Sequence, residues 1–227
     1  MQVQLPIFPL NTVVFPGVTV PLHVFEDRYR ALVHHLLTIS EKPERLFGIV
    51  AIREGYEVGT RGVQSLHRIG CVAQMTTVVP AEDGRFDIEI VGRERFRLES
   101  MDASGPYLVG TVETTSDAGD PAARPSSTSE AATRARQTFE RYRARLSELR
   151  GAEVLDVDLP KDPVYLSYTL AATCLLTLRE RQALLETGSA EDRLAMLRRA
   201  MVEEMRAMQA IPSLPATEVS RTGWSPN

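Results

Sequence analysis

Residues Leu5 to Val33 read "LPIFPLNTVVFPGVTVPLHVFEDRYRALV". Four prolines, at positions 6, 9, 16 and 21, interrupt segments otherwise rich in strand formers. A proline lacks the N–H that a sheet ladder needs, so these segments belong at edges, strand starts or bulges. The pattern then changes period without a break. Glu26 and Asp27 suit the positive end of a helix dipole, and Tyr29, Leu32, Val33 and Leu36 follow at helical spacing. The stretch therefore predicts short strands feeding directly into a helix over about 26–38.

The strand period continues beyond that helix. "RLFGIVAI" is a continuous apolar run and predicts a buried strand. "IGCVAQMTTVV" leads to Asp83-Gly84, a hairpin signal. After the turn, Phe86, Ile88 and Ile90 alternate with Asp87 and Glu89. Phe96 and Leu98 repeat the alternation against Arg95, Arg97 and Glu99, and "YLVGTVETT" adds a last strand. The sheet expected from this is small, open and curved.

The second half has the other period. "SDAGDPAARPSSTSEAA" reads as a linker. Ala131, Ala135, Phe139, Tyr142, Leu146 and Leu149 then recur at steps of three and four, which marks a long amphipathic helix. A buried helix is expected over 163–176. Gly188 ends the helix after that, and Ser189 with Asp192 caps the next. That final helix carries an apolar stripe of Leu194, Leu197, Met201, Met205 and Met208, which reads as adaptable core.

Composition removes several classes of function. The 227 residues carry a formal net charge of −4, with 43% hydrophobic and 25% charged side chains. Residues 1–116 hold 11 basic against 14 acidic groups, and residues 130–210 hold 13 of each. Neither half offers the basic face that phosphate binding requires. Six arginines at 134, 136, 141, 143, 145 and 150 make one local basic helix face, read as solvated surface. Cys71 and Cys174 are far apart and lack CxxC spacing, which fits a reducing cytoplasm. The apolar tract Val164–Leu178 is too short for a bilayer, and no secretory leader is visible. His34 and His35 are adjacent, so they cannot face one metal as an i, i+4 pair does; His23 and His67 stand apart. No GxSxG, HExxH or dinucleotide fingerprint occurs.

Three motifs together carry a family likeness. The opening 29 residues, the pair "IGCVAQM" and "FDIEIVGRERFRL" around the Asp-Gly turn, and "LTLRERQALLETGSAEDRLAMLRRAMVEE" resemble the Lon protease N-terminal (substrate-binding) domain. Arg181-Gln182 stands for a KQ-type pair of that family, and Thr177 occupies a position where proline is common. The likeness covers about residues 3–210. It implies an α+β fold. An N-terminal PUA-like β subdomain of about six strands and one helix (1–116) would pack against a C-terminal α-helical subdomain (130–210). Residues 117–129 would link the two, and 211–227 would form a loosely ordered tail.

The chain shows no GxxxxGK[ST] phosphate loop and no Ser–Lys dyad, since Lys42 and Lys161 both lie in polar, proline-containing segments. It is thus similar to stand-alone bacterial forms without ATPase and protease modules. The resemblance implies a non-catalytic module that binds unfolded or exposed segments of polypeptide and works with a protease or chaperone. No cofactor, metal or membrane is expected. The alternative is an RNA-binding protein that uses the PUA-like sheet. Phe15, Pro16, Phe25 and Tyr29 are the candidate polypeptide-binding residues. Phe15, beside Pro16-Gly17, is expected at an accessible loop, with Phe25 and Tyr29 mainly supporting the core.

Overall fold

The computed structural model describes residues 2–53, 65–115 and 129–210. These fall into two compact units that divide after Ser116. The expectations for residues 117–128 and for the tail 211–227 lie outside the described residues.

Among its described residues, the first unit contains six strands, one α-helix and a short 3-10 turn (Lys42–Glu44): β1 (Gln2–Leu10), β2 (Thr19–Val24), α1 (Asp27–Thr38), β3 (Leu46–Ala51), β4 (Ile69–Pro80), β5 (Phe86–Asp102) and β6 (Leu108–Thr115). The strand order is β2-β5-β4-β3-β1-β6, and β5 also pairs with β6. That extra pairing corrects the expected open sheet. β5, β4, β3, β1 and β6 form a closed ring, and β2 is added beside β5. Closure is possible because β5 is 17 residues long. Its Phe86–Val91 half pairs with β2 and its Arg95–Asp102 half with β6, while β4 runs along the opposite edge.

The prolines also need correction. β1 is not an edge strand, for it pairs with β3 in parallel and with β6 antiparallel. Each proline sits where only one neighbour is present. Pro6 is in register with Val109 of β6, and Pro9 with Val50 of β3. The donor each lacks therefore costs no ladder bond on a doubly paired stretch. Pro21 does lie on an edge, since β2 pairs with β5 alone.

Phe86, Ile88, Ile90, Phe96 and Leu98 share one parity in sequence, but they do not share one core. Ala73 is in register with Gly92 and Cys71 with Arg95, so Val72 alone on β4 spans Arg93 and Glu94 on β5. This bulge reverses the alternation. Phe86, Ile88 and Ile90 pack with Tyr29, Leu32, Val33 and Leu36 of α1. Phe96 and Leu98 join Ile7, Val50, Val72 and Val112 from the other ring strands, which places that cluster inside the ring.

The second unit is helical among the described residues: α2 (Glu130–Arg150), α3 (Pro163–Thr173), α4 (Leu178–Glu186) and α5 (Ala190–Ala210). α3 stops at Thr173 rather than 176. Its start is fixed by Asp162, whose carboxylate accepts from the backbone N–H groups of Val164 and Tyr165. Thr177 and Glu180 form a complete capping box at α4. Threonine where the family often has proline thus serves as the cap. Ser189 Oγ accepts from the Asp192 amide at 3.3 Å, as the sequence predicts. Leu194, Leu197, Met201 and Met208 are buried, so the stripe is core.

Tyr142 ties the helices together. Its hydroxyl accepts from Leu175 N at 3.2 Å and reaches Glu204 of α5 at 3.5 Å. No helix among the described residues is long and apolar enough to cross a membrane.

Candidate functional site

The structure does not bring the four candidate residues into one accessible patch. Phe15, Pro16, Gly17 and Val18 form a turn closed by a 3.2 Å bond from Val18 N to Phe15 O. Gly17, at φ 77°, takes the left-handed position such a turn requires. The turn lies on the β5 bulge: Gly17 N donates to Gly92 O, and Gly92 N donates to Val18 O. A Cβ on Gly92 would overlap the Phe15 carbonyl, so glycine is what lets the turn settle this closely. Phe15 is 1% exposed as a result, and Pro16 is buried.

Tyr29 is also buried. It stacks on Phe8 with ring centroids 3.9 Å apart, and the Arg28 guanidinium lies 4.6 Å from its ring centre. Its hydroxyl donates to Pro9 O at 3.4 Å. Burial pushes the phenol up to about 12, against a smaller opposing effect of Arg28 and with a further push from Glu26.

Phe25 is 41% exposed. The sequence expectation was therefore reversed: Phe15 is core and Phe25 is surface. The cause is local. Val24 takes the inward position at the end of β2 and Glu26 holds the N-cap position of α1, so Phe25 falls on the outward parity between them.

That parity defines an accessible sheet face with exposed apolar side chains. His23 of β2 is in register with Asp87 of β5, and Asp87 with Val79 of β4. Pro21, Glu89 and Thr77 form the next row. His23 Nδ1 and Asp87 Oδ1 are hydrogen-bonded. Thr76 Oγ1 donates to the Glu89 carbonyl at 3.0 Å. Val79 is 54% exposed, a residue sequence reasoning missed. Its signal was available only through the partner strand, because Val78 and Val79 are adjacent and period alone cannot choose between them. Asp87 and Glu89 mark the outward face across the hairpin.

Cys71 is fully buried, and desolvation pushes its thiol up to about 12. Cys174 is buried too, and neither cysteine is in a disulfide. His34 meets the edge of Phe86, and His35 lies beside Tyr107. Among the described residues, no group of three His, Cys, Asp or Glu side chains is placed to hold a metal.

A closed β-barrel crossed by a helix, joined in the same chain to an all-helical unit, defines the architectural class. The sequence matches the model of the ATP-dependent protease La (LON) substrate-binding domain over residues 4–203, and the chain belongs to that family. It is 27% identical over 220 residues to the Lon protease of Porphyromonas gingivalis, covering 94% of this chain and 25% of that protein. Against Lon protease 1 of Thermus thermophilus it is 28% identical over 197 residues, 86% of this chain and 24% of the other. The chain thus spans about a quarter of the length of these relatives.

The fold is shared with a Lon N-terminal domain protein from Xanthomonas campestris. The TM-score is 0.60 at 23% identity, over 86% of this chain and 96% of that one. The N-terminal domain of the Mycobacterium avium complex Lon protease gives a TM-score of 0.63 at 21% identity, over 88% and 98%.

Proposed function

We propose that this chain binds polypeptides without catalysing a reaction on them. Its ligands are unfolded proteins or exposed segments, and it acts in the cytoplasm alongside a protease or chaperone. The observation that carries this reading is the match to the substrate-binding domain family over residues 4–203. Exposed Phe25 and Val79 support it, since apolar side chains left in water gain roughly 25 cal/mol for each Å² that a ligand covers. The absence of a phosphate loop or Ser–Lys dyad from the sequence supports the non-catalytic part.

The test is a direct comparison of ligands. The purified chain should bind carboxymethylated, permanently unfolded α-lactalbumin, and bind native α-lactalbumin and a structured RNA hairpin at least tenfold more weakly. A preference for the hairpin would replace this reading with RNA binding. Steady ATP or peptide turnover, abolished by a point substitution in this chain, would overturn its non-catalytic part.

A further inference from the structure

We propose that the outward face of β2, β5 and β4 is the docking surface for an extended polypeptide segment whose apolar residue is flanked by lysine or arginine. The inference rests on the polypeptide-binding reading above and assigns its surface and its preferred ligand.

Three features place the segment on the face rather than along the edge of β2. The Val18 carbonyl accepts from Gly92 on the β5 side. By alternation, Val20 and Leu22 also direct their backbone groups to β5, and Thr19, Pro21 and His23 direct theirs to the open edge. Pro21 thus removes a donor from the middle of that edge, which blunts strand addition. The face beside it is only partly apolar. Phe25 and Val79 are exposed at 41% and 54%, and Pro21 is exposed on β2 one row beyond His23. Three strands about 4.8 Å apart and six residues long suit an extended segment of about five residues.

The charge pattern selects the ligand. The hairpin from Pro80 to Val91 carries Glu82, Asp83, Asp87 and Glu89 against Arg85 alone, and Arg85 is paired with Asp83 at 2.6 Å. Asp87 and Glu89 project from the same strand on the same side, in register with Val79 and Thr77. An apolar residue seated by Val79 would place cationic neighbours beside these carboxylates. A second copy of this chain would bring the same carboxylates against each other, so the pattern disfavours self-association here.

The experiment uses the full chain and two dye-labelled decapeptides, each with a central Leu-Ile-Leu. One is flanked by lysines and the other by glutamates, and anisotropy is read at low and at physiological salt. The lysine peptide is expected to bind at least tenfold tighter, with the gap narrowing as salt rises. Asp87→Lys/Glu89→Lys should reverse the preference, while the neutral Val79→Thr should weaken both peptides without lowering the melting temperature.

Unchanged preference in the double variant, with unfolded α-lactalbumin still bound, overturns this surface and leaves the functional reading standing. Failure of the wild-type chain to bind either peptide or unfolded α-lactalbumin overturns both.

Discussion

The two units reach stability by different routes. In the barrel, the residues that meet are far apart in sequence. Phe15 rests on a bulge at Gly92, and one strand supplies side chains to two separate cores. In the helical unit the fixing features are mostly local: Asp162 over α3, the Thr177–Glu180 box over α4 and Ser189 over α5. Local devices are written within four residues of where they act. Long-range ones depend on register, and a single bulge changes which face an entire half-strand presents. The barrel should therefore be the unit in which one substitution does most damage.

The largest effect is expected at Phe15. Truncation to alanine removes a buried ring beneath a turn that has no slack to close the gap. The expected loss is about 3–5 kcal/mol, read as the urea midpoint of the barrel transition. A loss below about 1 kcal/mol would mean that the turn adapts, and the distinction between rigid barrel turns and local helix caps would fail.

This contrast also explains what was legible beforehand. The α1 face, Tyr29 to Leu36, was readable because helical period is intrinsic to a contiguous segment. The stripe of α5 was readable for the same reason. Barrel closure was not, since it depends on β5 passing from β2 to β6, and nothing in "IVGRERF" announces which residue is the extra one. The candidate site suffered from the same limit. Pro16-Gly17 predicts a turn correctly, but a turn is exposed only if no other strand lies beneath it. Gly92, 75 residues further on, decides the burial of Phe15.

Arg193, like Tyr142, departs from local design in the helical unit, and it was missed in the sequence. It is fully buried at the fourth position of α5, on the same row as Leu197 and Met201. Its Nε donates to Ser167 Oγ of α3 at 2.9 Å, and its guanidinium donates to the Thr187 carbonyl at 2.6 Å. The Tyr168 ring lies 4.2 Å away. One cation thus joins α3, the α4–α5 connection and α5. Arg193→Ala should cost about 2–3 kcal/mol, since hydrogen bonds to charged groups are the stronger kind. Arg193→Lys should recover little, because an ammonium cannot reproduce the planar fork or its stacking. Full recovery by lysine, measured as the denaturation midpoint, would reduce the contact to simple charge.

The barrel core also carries a pH dependence. Burial raises the Cys71 thiol from 9.0 to about 12. The protonated form is the one the folded chain keeps, so this stabilisation is complete below pH 9 and is lost as pH rises toward 12. By pH 10 the loss should reach about 1.4 kcal/mol for a fully buried thiol. Above pH 10, Tyr29, also raised to about 12, adds to the decline. Cys71→Ala should flatten the stability profile between pH 9 and 10, whatever its effect at neutral pH. An unchanged slope in that window would show that the thiol is not what titrates there.

The smallest effect on stability, and the one that bears most on function, is expected at Phe25. It follows Phe15 by ten residues, and both were read from the same proline-studded stretch. Phe25 lies outside the packed core and is not at a helix cap, because Glu26 holds that position. Surface substitutions of this kind change stability by no more than about 0.5 kcal/mol. Phe25→Ala should therefore leave the melting curve superimposable on wild type. Binding of unfolded α-lactalbumin should nonetheless weaken by several-fold, since the substitution removes the largest exposed apolar surface beside β2. Phe15→Ala, compared at a temperature where it remains folded, should bind normally. Should Phe25→Ala instead unfold the chain, the ring supports the barrel after all. If both variants bind like wild type, the ligand surface lies away from this stretch.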